Sequence, residues 1–290
     1  AKKGKSRPVI IGVHNVYSPK TMYKIMRYLL LPAFLLCTFA LQAQVVTKDD
    51  APFGVTNAEM IDLLMPTIPG VAIDPRDKMK QQSVKPYMMP VRKIGPAGSD
   101  LSYALATCLE FYVNLENNYK DNLSPDYIQL SLENSNRAVN LQEACQFLAK
   151  VGTVSAAIMP YSARQIPNAV YATEKYGISN YLHIFRKTTK ARQRVFDTKK
   201  ALMRGNPVLI ELKASAGLPQ MLRTTTWYPP EAADKTFPLV VVGYDEAEQA
   251  FEVMSSWGSR WGRSGYLQIR YDDFGEYALN GYVLVPAQGY

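Results

Sequence analysis

The sequence predicts an α+β protein, with helices gathered in its first half and a mostly antiparallel sheet filling its second. Three observations carry this. Apolar residues recur at three- and four-residue intervals through residues 99–152. From residue 180 onward, short alternating or continuous apolar runs are separated by Gly, Pro, Asn and Asp. Helices followed by strands is the order of a segregated α+β architecture, not of repeated βαβ units.

The elements follow in order. Residues 44–93 place a Pro or Gly every few positions ("APFG", "MPTIPG", "DPRD", "KPYMMP") and read as an extended arm wrapping the domain, interrupted by a short helix at "NAEMIDLLM". "SDLSYALATCLEFYVNLENNYK" (99–120) puts Leu101, Ala104, Leu105, Cys108, Tyr112 and Leu115 on one helical stripe, with Ser99 as N-cap and Asp100 in the first turn. "SPDYIQLSLEN" (124–134) opens with Ser124 as cap and Pro125 at the first helical position. "NLQEACQFLAKVG" (140–152) has Asn140 and Glu143 at capping-box spacing and stops at Gly152. Then come strands at 180–187, 207–214, 238–245, 250–256, 266–271 and 282–286. A short helix from Asp197 to Gly205 precedes the second of them, and "DEAEQ" makes a tight hairpin.

Charge and composition exclude several classes. The formal net charge is +8, but residues 1–43 hold seven of the 33 basic residues and no acid. The remainder has 26 basic against 25 acidic residues. No basic face is therefore visible for nucleic acid, and "RKTTKARQR" (186–194) reads as a solvated face. The early charges belong to a leader: basic "MYKIMR", then the 13-residue apolar run "YLLLPAFLLCTFA", then Ala43 as a cleavage residue. That run is shorter than the roughly 20 residues of a membrane span. Residues 1–21 precede the first methionine and read as an over-extended start or a fragment edge. The expectation is an exported protein, periplasmic, outer-membrane-associated or extracellular, without a transmembrane span after cleavage. Cys108 and Cys145 could pair or be two buried thiols; two cysteines make no disulfide framework. CxxC, HxxxH, GxGxxG and phosphate-loop patterns are all missing, so no metal or cofactor is expected.

Three stretches in the right order resemble the papain-like (C1) cysteine peptidases: "IGPAGSDLSYALA" (94–106), "LSPDYIQ" (123–129) and "FPLVVVGYDEAEQAFEVMSSWGSRWGRSGYLQI" (237–269). "GNPVLIEL" (205–212) fits the strand before the histidine loop. The resemblance covers about residues 90–290. It implies a two-lobed fold with a helical lobe (94–165), an antiparallel β-barrel-like lobe (166–290) and a cleft between them. Residues 44–93 are shorter than the family's inhibitory prosegment and do not match it. The resemblance also implies that Trp257 covers the site of the catalytic histidine, while Gly258, Gly262 and Gly265 turn the hairpin that braces the sheet.

Carried over residue by residue, the resemblance leaves the family's chemistry unfilled. Asp100 stands at the nucleophile, Phe237 at the histidine, Ser255 at the orienting asparagine and Ile94 at the glutamine that lends an oxyanion hydrogen bond. Phe237 accepts no proton, Ser255 is too short to orient a ring, and Ile94 offers no side-chain donor. A carboxylate at 100 is a poor nucleophile toward amides, yet suits a helix N-terminus. His183, on an apolar strand, reads as structural. The reading is a pseudopeptidase that binds a peptide or protein, with no cofactor and no nucleic acid. Asp100, Trp257, Trp227 and Tyr228 are the candidate cleft or partner contacts, the last two in a loop expected to be exposed. The alternatives are a hydrolase with relocated catalytic groups and a structural subunit of an envelope complex.

Overall fold

The computed structural model describes residues 51–71, 77, 79–133 and 140–287, all in one compact unit, Lys48–Tyr290. The leader expected in 1–43 lies outside these residues. No helix among the described residues is long and apolar enough to cross a membrane.

The arm is part of the core. Helix α1 (Ala58–Leu64) is capped by the Asn57 side chain, which accepts from the Glu59 and Met60 amides. Strand β1 (Gln81–Ser83) follows. Val55, Met60, Ile61 and Met65 are buried in one apolar cluster; Val71, Val84 and Met88 are buried in another. The Pro-rich segment thus contributes to both clusters.

Helix α2 (Asp100–Asn117) starts at Ser99, whose hydroxyl accepts from the Ser102 amide while the Ser102 side chain returns a bond to the cap. It ends where Asn118 turns left-handed at φ 52°. Every residue from 102 to 114 is buried, so the helix is enclosed on all sides rather than one-faced as its stripe suggested. Helix α3 (Pro125–Glu133) uses Ser124, whose hydroxyl accepts from the Tyr127 amide at 3.2 Å. Helix α4 (Leu141–Lys150) uses the Asn140 side chain in the same way.

The sheet is built from β2 (Ile178–Phe185), β3 (Val208–Ala214), β4 (Thr226–Trp227), β5 (Lys235–Asp245), β6 (Ala250–Met254), β7 (Tyr266–Arg270) and β8 (Ala278–Pro286). Its order is β2-β8-β3-β5-β6-β7-β4, with β1 also on β5. The β4–β7 pair is parallel. The end strands β2 and β4 do not meet, so the sheet is open and does not close into the expected barrel. The run "LVVV" in β5 is continuously apolar because both faces are covered. Leu239 and Val241 pack with Ile210, Leu212, Phe251 and Trp261, while Val240 and Val242 pack with Leu105, Leu109 and Leu209.

Two elements depart from the sequence reading. Helix α5 (Ala191–Met203) begins six residues before Asp197. Its Arg194, expected on a solvated face, is 8% exposed. Arg194 donates to the carbonyls of Thr189 at 2.8 Å, Lys187 and Ala278 at 2.8 Å, fastening the helix to the strand edge. Helix α6 (Tyr271–Tyr277) was not anticipated. It buries Phe274 against Phe185 and Phe251.

Candidate functional site

The site lies where the N-terminus of α2 meets the turn after β6. The chain reaches α2 through residues 92–99, and two backbone contacts bind this segment to the turn. The Ile94 amide donates to the Ser256 carbonyl at 2.9 Å, and the Gly258 amide donates to the Arg92 carbonyl at 3.0 Å. Gly98 has no room for a side chain: a Cβ there would lie 2.2 Å from the Tyr103 ring and 2.8 Å from Asp126 Oδ1. Ser99 donates to Gln129 Oε1 at 2.6 Å, and Gln129 donates to Glu133 at 2.7 Å. The mouth of the helix is thus fixed from α3 as well.

Beneath it, Arg92 and Glu110 form a buried ion pair at 3.0 Å. Arg92 also donates to Thr107 Oγ1 at 3.0 Å and to the Leu123 carbonyl at 3.1 Å. Glu110 Oε2 accepts from the Leu123 amide at 2.9 Å. Burial drives the Glu110 carboxyl upward, against the pull of the guanidinium and that amide. The sequence signal was a carboxylate inside an apolar helix, which has to find a partner.

At the surface of this scaffold, Asp100 Oδ1 accepts the indole N–H of Trp257 at 2.7 Å. Burial raises the Asp100 carboxyl, and the indole bond opposes the rise. The edge of Trp257 meets Phe237 with ring centroids 5.6 Å apart and planes at 88°. Trp257 also stands against Trp261 at 5.1 Å, and the buried Trp261 indole donates to the Leu218 carbonyl at 2.8 Å. Asp100, Trp257 and Phe237 are therefore brought together. Ser255 is 4% exposed; its hydroxyl accepts from the Trp257 amide at 3.3 Å, a local turn contact with no ring to orient. Ile94 supplies backbone to the turn and no side-chain donor.

Trp227 is not an exposed contact. It is 2% exposed, pairs with Ile269 of β7 and packs against Tyr277 at 5.4 Å. Parallel pairing with a distant strand buries it, something its polar and proline-rich neighbours conceal. Tyr228 is 67% exposed, as expected.

The one imidazole among the described residues, His183, lies on β2, with β8 and β3 between it and β5. At about 4.8 Å per strand, that is roughly 14 Å across the sheet. It bonds Asn280 at 3.0 Å and stacks on Tyr282 at 4.4 Å. Burial lowers its proton affinity, and the Asn280 bond partly restores it. Cys108 and Cys145 are buried, unbonded thiols, and burial pushes both strongly up, away from thiolate. Among the described residues, no group of three or more His, Cys, Asp or Glu side chains could hold a metal ion.

Comparison with known proteins defines the class. The family model described as papain family cysteine protease matches residues 72–287. The chain belongs to the papain family. It is 25% identical to procathepsin L of Rattus norvegicus over 205 residues, 65% of this chain and 58% of that one. It is 26% identical to ananain of Ananas comosus over 142 residues, 48% of this chain and 39% of that one. It thus spans well under two thirds of either relative. The structure of digestive procathepsin L 3 of Tenebrio molitor has the same fold, with a TM-score of 0.60 at 17% identity. That match covers 78% of this chain and 77% of the other.

Proposed function

We propose that this chain is an exported papain-family protein without peptidase activity, which holds a peptide or protein partner at the surface beside the mouth of α2. The observation that carries the reading is the Asp100–Trp257–Phe237 contact. A carboxylate tied to an indole occupies the nucleophile's position, and a phenyl ring the base's. Peptide hydrolysis by the family's chemistry needs a thiolate and a proton acceptor in contact, and a carboxylate against a phenyl ring supplies neither. The scaffold around them stays well built, which suits a protein kept for binding. Export rests on residues 1–43 alone.

Affinity capture of the intact protein from its native envelope tests the binding role. Co-purifying short peptides support the reading. A single protein at fixed stoichiometry supports a partner bound as a subunit. Turnover of a peptide library, abolished by Asp100→Asn, would replace it with a hydrolase using relocated groups.

A further inference from the structure

The turn after β6 has a second face. Where it meets residues 221–225, the surface forms an open hollow of about 670 Å³. Arg223, Arg260 and Arg263 line it together with Thr225, Ser259 and Ser264, and its lining holds no carboxylate. The floor is fixed by backbone: the Gly262 amide donates to the Met221 carbonyl at 3.0 Å, and the Gln268 amide to the Thr225 carbonyl at 2.9 Å. Leu222 bridges Trp261 and Gly262 and leaves an apolar surface at the rim, 59% exposed.

The three guanidinium groups are unspent. Three other arginines are engaged: Arg92 with Glu110, Arg204 with Asp62, and Arg194 with backbone carbonyls. Among the described residues, no ion pair or side-chain hydrogen bond involves Arg223, Arg260 or Arg263. Nor is their convergence a by-product of a basic chain, since residues 44–290 are nearly neutral. Three like charges facing one concavity repel one another, and an anion relieves that repulsion. A single carboxylate would be saturated by one guanidinium fork. Three forks, each with five N–H donors, and flanking hydroxyls match a ligand offering many oxygens and more than one charge.

We propose that this hollow binds a ligand carrying two or more phosphate-type oxyanions, independently of the surface beside the mouth of α2. The phosphates could be free or borne by a lipid headgroup. Inorganic pyrophosphate, titrated into the intact protein by calorimetry at constant ionic strength, is the first probe. Vesicles containing cardiolipin, whose headgroup carries two phosphates, against phosphatidylcholine, are the second. We expect saturable binding of one of the two, weakened about tenfold by Arg223→Ala, Arg260→Ala or Arg263→Ala singly, as expected for loss of one charge-assisted contact. Arg260→Lys should recover only part of the loss, because the charge stays but the fork does not. All three side chains are exposed, so unchanged circular dichroism and Tm serve as the folding control. Pyrophosphate binding identifies a soluble phosphate ligand. Arginine-dependent sedimentation with cardiolipin vesicles alone identifies a lipid-borne one. Binding of neither probe, or binding indifferent to all three alanine variants, overturns the proposal.

Discussion

The Asp100–Trp257 hydrogen bond can be weighed directly by a double-mutant cycle. Asp100→Ala leaves an indole N–H without its acceptor and removes an anion from the first turn of α2. Together these should cost about 1.5–2 kcal/mol. Trp257→Phe removes the donor and trims the edge contacts with Phe237 and Trp261, for about 2–3 kcal/mol. A bond of 2.7 Å to a carboxylate belongs to the stronger charge-assisted class. Both groups are half-buried, however, so the coupling recovered from the cycle should be about 1–1.5 kcal/mol, below the full value for a desolvated pair. For a domain of this size, 1 kcal/mol corresponds to about 2–4 °C in Tm. Urea unfolding followed by circular dichroism reads all four proteins. Coupling under about 0.5 kcal/mol, the limit for independent sites, would refute the claim that the carboxylate and indole form one unit. Asp100→Asn adds a pH test. Because the folded carboxyl has a raised pKa, its contribution is fully present below the unfolded pKa and is lost as pH rises through the folded one. The stability of wild type relative to the Asn variant should therefore fall as pH rises across that window.

Other expectations follow from the same contacts. Glu110→Ala leaves Arg92 buried without its anion and should cost about 3–5 kcal/mol in chemical unfolding, whereas an apolar replacement of both partners should recover most of it. Trp227→Ala should cost about 3–5 kcal/mol, while Tyr228→Ala next to it should stay within about 0.5 kcal/mol; equal effects would contradict the burial of one and exposure of the other. His183 binds its proton less readily when folded. Acidification through the ordinary imidazole range should therefore cost stability, and His183→Gln should flatten that limb of the pH–stability profile.

What could be read from the sequence is what is local. Ser99, Ser124 and Asn140 each cap the helix that follows them because capping needs only residues two or three apart. The strand at 238–245 was equally plain. What the family resemblance expects of Asp100, Phe237 and Ser255 was legible in the "GSD", "VVGY" and "SSWG" stretches. Their contacts were not. The indole bond to Asp100 joins residues 157 apart, and no periodicity reports such a distance. Trp227 reads as exposed because its neighbours are polar or proline, yet a two-residue parallel pairing buries it. Arg194 was mistaken for a surface charge because its partners are carbonyls of other segments. Helix α6 escaped because "YDDFGEY" is short, contains a glycine and shows less than two turns of period. The barrel expected from the resemblance stays open because β4 pairs with β7, not with β2.

The central claim is that this papain-family scaffold has no nucleophile and base in contact. Mass spectrometry of a diverse peptide library incubated with the purified protein, across pH 4–8 (about the range in which imidazole and carboxylate pairs change charge), tests it most directly. The account predicts no cleavage product above the protein-free control at any pH. Saturable cleavage that persists through purification and disappears in Asp100→Asn or His183→Gln would contradict it.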